Sequence, residues 1–479
     1  MFFLYTSNRT EQLVESLGLV IENDRAPSLF QQEIFLVQSR GMELMLSQHL
    51  TECFGVWGNS RYLLPLQFIS FLEKELGTTE EPDGYDREIL IWKLDSLLRR
   101  DLTEDSGQLK LYLQDDQQDL KRFQLARKLA NLFDQYQIMR PEILDLWKEG
   151  KCSTNEKSEL WQKYLWSRLE ESSAGIPHRG EGIARVIETL ESGRQLTVKL
   201  PSRLFVFGLH TMPPLFLDIL NSLSLRVDVH LFLLSPCALY WGDIESRRAA
   251  VRRKLLEARS HDEPACFFGL ENHHPLLVSL GRQGAHFQEI LLDRVDYVDG
   301  PADFIDPAEK PDSSLLQRLQ SDIMTGLPVQ NDTDDSGVEN DGSIVICSCH
   351  SRMRELSVLK DYILSWLYED PGLKLHEVVV MAPDIQDYAT MIPAVFNEID
   401  HSIADRDTRR KNNYFDIFLK LLALYSGRFG INDVLAVLEN EEVYRNFSMV
   451  ASDVDKVRYW STDAGIRWGL SAEQRKLDG

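Results

Sequence analysis

Two short stretches carry the spacing of a nucleotide-binding site without the groups that would hold a nucleotide. The first runs Phe2-Phe3-Leu4-Tyr5, then Thr6-Ser7-Asn8-Arg9, then Thr10 to Leu17: a strand, a turn and a helix. A phosphate-binding loop sits at such a junction, and it needs several glycines for its amide cradle, a Lys, and a Ser or Thr. The turn Thr6 to Thr10 has neither Gly nor Lys and is too short to wrap a phosphate. The second stretch is Arg203 to Phe207, an apolar strand ending where an ATPase would place the carboxylate that holds Mg²⁺. Phe207-Gly208 stands there instead, and a hard cation demands oxygen ligands. Ser7, Asn8, Arg9, Phe207 and Gly208 outline a degenerate nucleotide site.

Other constellations admit more than one chemistry. Asn131-Leu132-Phe133-Asp134-Gln135-Tyr136, with Arg140-Pro141 after it, sets hydrogen-bonding groups beside aromatics. It reads as a helix end with an Arg near its negative pole, or as a wall against which single-stranded DNA could stack. Val37-Gln38-Ser39-Arg40-Gly41-Met42 follows an apolar strand, at the sheet edge where α/β domains bind ligands. Its short polar groups and helix N-terminus suit a phosphate or a base, and suit a plain strand-to-helix turn as well. The basic runs Arg252-Arg253-Lys254 and Arg409-Arg410-Lys411 are solvated faces or phosphate contacts. Asp384 and Asp387 lack the acid–x–Lys strand of a metal nuclease, and no HExxH or GxSxG occurs.

The elements that must position these residues follow from the apolar pattern. Length 479 suggests about three domains. Residues 1–70 alternate strand and helix, with Glu33–Val37 a short buried strand and a helix starting near Gly41. From about 75 to 195 the pattern is helical, as in Asp86–Arg100 and Leu120–Met139, where apolar residues recur three and four apart. Strands return at Leu204–Phe207 and Val227–Leu234. That order is expected of a helical body inserted into one parallel-sheet domain, with sheet parts at about 1–74 and 196–295. The segment from Asp296 to Gly342, with its acidic core Asn331–Gly342, reads as a solvated linker. A second parallel sheet is expected from Ser343–Cys347 and His376–Met381, with a helix over Arg354–Trp366 between them and helices near Tyr414–Tyr425 and Ile431–Leu438.

Composition sets outer limits. No stretch approaches the roughly 20 apolar residues of a membrane span, so a cytoplasmic protein is expected. The six scattered cysteines form no CxxC pair and fit a reducing compartment. A formal charge of −23 argues against a general polyanion-binding surface, though not against a narrow basic channel.

Several phrases, in order along the whole chain, resemble the RecC family, the gamma subunits of exodeoxyribonuclease V (the RecBCD helicase–nuclease). They are Ser7-Asn8-Arg9; Leu36-Val37-Gln38-Ser39 with Gly41-Met42; Leu132–Tyr136 with Arg140-Pro141; Ile187–Ser192; Tyr240-Trp241-Gly242-Asp243-Ile244; Cys349-His350-Ser351 with Arg354-Glu355; and Gly465–Gly469. Family members are longer, so the chain resembles an N-terminal portion. The resemblance implies an α/β fold like that of superfamily 1 helicases, with degenerate ATPase motifs and a large helical insertion. Residues 1–342 would form the first helicase-like domain and 343–479 the start of a truncated second one. It implies RecB-like helicase–nuclease and RecD-like helicase partners, which would carry the ATP and Mg²⁺, and both single- and double-stranded DNA as ligands. It further implies a strand-scanning surface on Gln38, Arg40, Leu64, Asn131, Leu132, Asp134, Arg140 and Arg179, reading the recombination hotspot Chi. Arg40 and Asn131 depart modestly from the family's Thr and Asp, and Leu44 and Ser70 depart further from an amide and a Trp. The channel is therefore expected to be kept, with the recognised sequence different or absent. A self-sufficient helicase and a protein-only helical adaptor are the competing expectations.

Overall fold

The computed structural model describes residues 1–477 apart from 25–30, 79–83, 101–106, 115–118, 155, 174–175, 193–199, 243–273, 311, 327–340 and 404–412. Two compact units divide between Ile344 and Val345.

The first unit is built on a six-stranded parallel sheet of order β3-β2-β4-β5-β1-β6. Its strands are β1 (Phe2–Ser7), β2 (Glu33–Val37), β3 (Ser60–Leu63), β4 (Arg203–Phe207), β5 (Asp228–Leu234) and β6 (Val298–Asp299). The inner strands β2 and β4 are buried along their whole length, which is why they read as unbroken apolar runs. Alternate residues sort onto two unlike faces. One is mainly aliphatic, with Leu4, Leu36, Leu63, Val206 and Leu231 in a single core. The other is an aromatic ladder in which Phe3 stacks on His230 at 4.9 Å, Tyr5 on Phe232 at 4.7 Å, and Phe35 on Tyr62 at 4.8 Å and Phe205 at 5.1 Å. Helices α1 (Thr10–Asn23) and α2 (Arg40–Phe54) cover the aromatic face with Leu13, Leu17, Leu46 and Leu50.

Between β3 and β4 the chain makes α3 (Pro65–Leu76), α4 (Arg87–Arg100), α5 (Gly107–Leu113), α6 (Leu120–Met139), α7 (Pro141–Lys148), α8 (Lys157–Ser172) and α9 (Arg179–Glu191). Helices α4 to α8 enclose their own core around Leu90, Leu94, Phe133, Trp147 and Trp166. Helices α3 and α9 instead pack on the aliphatic sheet face through Phe68, Ile69, Leu72, Ile183, Val186 and Leu190, beside α10 (Pro214–Ser224). The helical body is thus joined to the sheet by its first and last helices.

Two expectations need correction. The composition from Asp296 onward suggests a solvated linker, yet Val298–Asp299 is the edge strand β6 on β1, and Leu315–Thr325 is a helix capped by Ser314. The polar, Pro-rich composition hides these elements because β6 needs only two residues and gains its bonds from β1. Most of the acidic core Asn331–Gly342 lies outside the described residues. The second parallel sheet is absent among the described residues. Ser343–Cys347 pairs with no strand, Leu375–Glu377 is a short 3₁₀ turn, and Ile346 and Met381 are 93% and 89% exposed. Val-rich runs become strands only when neighbours satisfy their amides and cover their faces, and no such neighbour lies among the described residues. The second unit is helical instead, with Leu356, Ile363, Ile392, Phe396 and Ile399 in a small core.

Candidate nucleic-acid interface

The position that the sequence suggests as a degenerate nucleotide site is occupied by the chain itself. Ser7 Oγ donates to the Asp303 carbonyl at 2.6 Å and accepts the Arg9 amide at 3.0 Å. The Asn8 side chain pairs both ways with Ile305, its Nδ2 donating to the carbonyl at 2.8 Å and its Oδ1 accepting the amide at 3.1 Å. Backbone bonds from Gly300 to Leu4 (2.7 Å) and from Asp303 to Thr6 (3.2 Å) lay residues 300–305 along the end of β1 as a strap. At the end of β4, Phe207 is buried and Gly208 has φ +71°, with the Met42 side chain so close that a Cβ would sit 2.5 Å from Cε. A cavity of about 140 Å³ lined by Thr6, Leu233 and Asp299 remains nearby, below the roughly 300 Å³ of ordinary ligand clefts.

The sheet-edge candidates share one end of the sheet. In the β2–β3 register Leu36 lies opposite Leu63, so Gln38 and Leu64 leave the sheet side by side at the C-terminal ends of adjacent strands. Ser39 caps α2 by accepting the Met42 amide at 3.3 Å, and Gln38 and Arg40 flank it exposed. Leu64 is half-buried, and its backbone amide donates to Gln67 Oε1 at 3.2 Å before Pro65 opens α3.

On the helical side, Asp134 and Arg179 meet. Arg179 Nη1 donates to Asp134 Oδ1 at 2.7 Å and Nη2 donates to Asp86 Oδ2 at 3.1 Å, a guanidinium held between two carboxylates. Buried Gln137 sets this geometry. Its Oε1 accepts the Arg179 amide at 3.1 Å and its Nε2 donates to the Tyr85 carbonyl at 3.3 Å. His178 caps α9 by accepting the Glu181 amide at 3.4 Å, and burial lowers its imidazole pKa despite the facing Glu181. Asn131 is exposed, and Leu132 packs against the helical core. Arg140 stands apart from the cluster, its Nε donating to Glu142 Oε1 at 2.6 Å. Arg252–Lys254 and Arg409–Lys411 lie outside the described residues.

A groove of about 630 Å³ is lined by Arg61 of β3, by Ser70, Phe71 and Lys74 of α3, and by Asp86 and Arg179; of the scanning candidates it takes in Arg179. Sequence reading missed Asp86, Gln137, Arg61 and Lys74. Asp86 is 93 residues from Arg179 and Gln137 is 42, and no local spacing announces contacts of that range.

Residues 2–326 match the family model described as RecC, N-terminal domain, and residues 411–478 match that of the RecBCD enzyme subunit RecC fourth domain. The chain belongs to the RecC family. Among relatives named RecBCD enzyme subunit RecC, that of Escherichia coli (strain K12) is 33% identical over 100% of this chain and 46% of its own length. That of Haemophilus influenzae is 31% identical over 99% and 47%, and that of Mycolicibacterium smegmatis 29% over 99% and 44%. The chain spans about half the length of the curated RecC relatives it matches. Two aromatic residues of the RecC-like phrases have packing roles here. Trp241 is buried against Gly281 and Gly284, where a Cβ would sit 2.6 Å and 2.7 Å from its ring, and Phe133 meets Trp166 edge-on at 5.4 Å.

Proposed function

We propose that this chain is the strand-guiding part of a RecBCD-type helicase–nuclease acting in double-strand-break repair and recombination. In this reading the sheet is a superfamily 1 helicase domain retired from ATP hydrolysis, and RecB-like and RecD-like subunits supply the motors, ATP and Mg²⁺. The complex works in the cytoplasm, on nucleoid DNA. A separated single strand runs between Gln38, Arg40 and Leu64 on the sheet edge and Asn131, Leu132, Asp134, Arg140 and Arg179 on the helical body, and is scanned for a Chi-like sequence. The observation that carries the reading is the Arg179 guanidinium, held by Asp134 and Asp86 on the wall of a groove that Arg61 of β3 and Ser70 and Lys74 of α3 also line. The strap over the end of β1 counts against a self-sufficient helicase.

The test is an unwinding assay on duplexes that carry a hotspot, using the full-length protein assembled with its partners. Arg140 sits exposed, and among the described residues its ion pair is with neighbouring Glu142. Arg140→Ala is expected to cost about 1–3 kcal/mol of sequence discrimination, the worth of a base contact, while unwinding speed stays near wild type. Equal loss of both would make Arg140 a structural residue and sink the scanning role.

A further inference from the structure

We propose that Gln137 is a positioning residue of the scanning surface, a buried hub that sets the base-reading geometry of Arg179, Asp134 and Asp86. Its side chain is fully buried, and both ends of its amide are bonded to the backbone of other elements. Oε1 accepts the Arg179 amide at 3.1 Å and Nε2 donates to the Tyr85 carbonyl at 3.3 Å. Each bond lands on or beside a member of the charged triad. Tyr85 immediately precedes Asp86, whose carboxylate accepts from Arg179 Nη2, and Arg179 is bonded at its own amide. Asp134 lies three residues before Gln137 on α6, one turn away on the same side of the helix. One glutamine therefore ties together the three backbone segments that carry the three side chains. Gly180 lets α9 come close to it, since a Cβ there would stand 2.9 Å from the Gln137 carbonyl oxygen.

A packing role alone would not call for an amide. A buried polar group costs free energy unless its hydrogen bonds are made, and a Met would fill a similar length without that cost. What the amide adds is direction, because its two bonds hold only at one register of α9 against α6 and the start of α4. The triad needs such direction. Two carboxylates against one guanidinium sum to a negative formal charge, so the cluster does not draw in phosphates. What it offers a strand is hydrogen bonding to base edges, which weakens steeply with angle. This inference rests on the strand-guiding reading and adds to it a residue outside the scanning set, one that acts through Arg179 from within the core.

The experiment uses the full-length protein assembled with its partners and a linear duplex carrying a block of randomised base pairs. Strands on which the complex pauses are sequenced, and base preference is scored position by position per strand unwound, so that a change in the motors cancels. Arg179→Ala is expected to relax the preference several-fold at particular positions of the block. Gln137→Met should relax the same positions by a similar factor, and the double variant no more than Arg179→Ala alone, because residues acting through one contact are not additive. A merely structural residue would instead lower the preference evenly across the block and add to Arg179→Ala. Either of those results overturns the proposal and spares the strand-guiding reading, and so does an unchanged preference in Gln137→Met. A wild-type complex with no base preference at any position overturns both. Amide exchange gives a check that no variant has to survive. The first amides of a helix have no intrahelical acceptor, yet in the wild-type complex the Arg179 amide should exchange as slowly as those in the middle of α9. Fast exchange there would mean that the Gln137 bond is not kept, and would overturn the proposal however the variants behave.

Discussion

Gly208 ends β4 with φ +71°, a conformation that suits glycine, and the Met42 methyl group fills the space where a side chain would begin. Gly208→Ala is expected to cost about 1–3 kcal/mol through backbone strain and overpacking, read as a lower urea midpoint. Adding Met42→Ala should recover the overpacking share only. A Gly208→Ala protein as stable as wild type would show that α2 shifts freely. At the opposite end of the same strand, Arg203 is 2% exposed and forks onto Glu33, with Nη2 to Oε1 at 2.7 Å and Nε to Oε2 at 3.1 Å. Arg203→Ala strands a buried carboxylate and should cost about 3–5 kcal/mol, whereas Arg203→Met with Glu33→Leu should come close to wild type. Similar losses in both variants, measured by denaturant unfolding, would contradict this account of the pair.

Elements differ in how openly the sequence declares them. The inner strands β2 and β4 and the long helices α4 and α6 are legible because each has a buried run or stripe of its own. Strand β3 is not. Its Ser60-Arg61-Tyr62-Leu63 is short and half polar, and exists through pairing with β2. The scanning residues are placed by resemblance rather than by local pattern, and their partners Asp86 and Gln137 are invisible in the sequence because the contacts join separate helices. The run Ile344–Cys347 shows the converse, a convincing strand pattern with no strand to pair with among the described residues. The strap across β1 hangs on Asn8. Asn8→Ala removes both hydrogen bonds to Ile305, leaving its amide and carbonyl without them, together with a weaker one to Met324 Sδ, at about 1–3 kcal/mol. Faster amide exchange at residues 303–305, with β4 unchanged, is the expected result. Titration of the wild-type chain with MgATP should release no heat at micromolar concentrations, and binding there would mean the strap lifts.

Across the whole molecule, acid should act through a few buried groups. Burial lowers His230 to about 4, within the aromatic ladder and 3.3 Å from the Tyr5 hydroxyl. A histidine lowered on folding binds fewer protons folded than unfolded, so stability is complete above pH ~6.5 and falls as pH drops towards 4. The loss attributable to His230 is about 3 kcal/mol, and His178, lowered by burial too, adds to the same slope. His230→Phe should flatten the pH 6.5 to 4 portion of a urea-midpoint profile without abolishing it. An unaltered slope would exclude His230. A second fall is expected below pH ~4.5. Burial raises the Glu159 carboxyl, but hydrogen bonds from Thr154, Trp147 and Ser153 outweigh it and hold the pKa at about 2. That stability is present above 4.5 and lost on the way to 2.

The strand order also sets a schedule for synthesis. Among the described residues β1 pairs with β5 and β6, and 225 residues separate Tyr5 from the His230 beside it. At roughly 5–20 residues per second, β1 waits about 10–45 s on the ribosome before its first partner strand is made. Throughout that interval a six-residue strand rich in Phe, Leu and Tyr is an open edge. The helical body, whose contacts are closer in sequence, can fold meanwhile. A nascent chain of this kind is a natural client for a chaperone that covers apolar segments until the sheet closes.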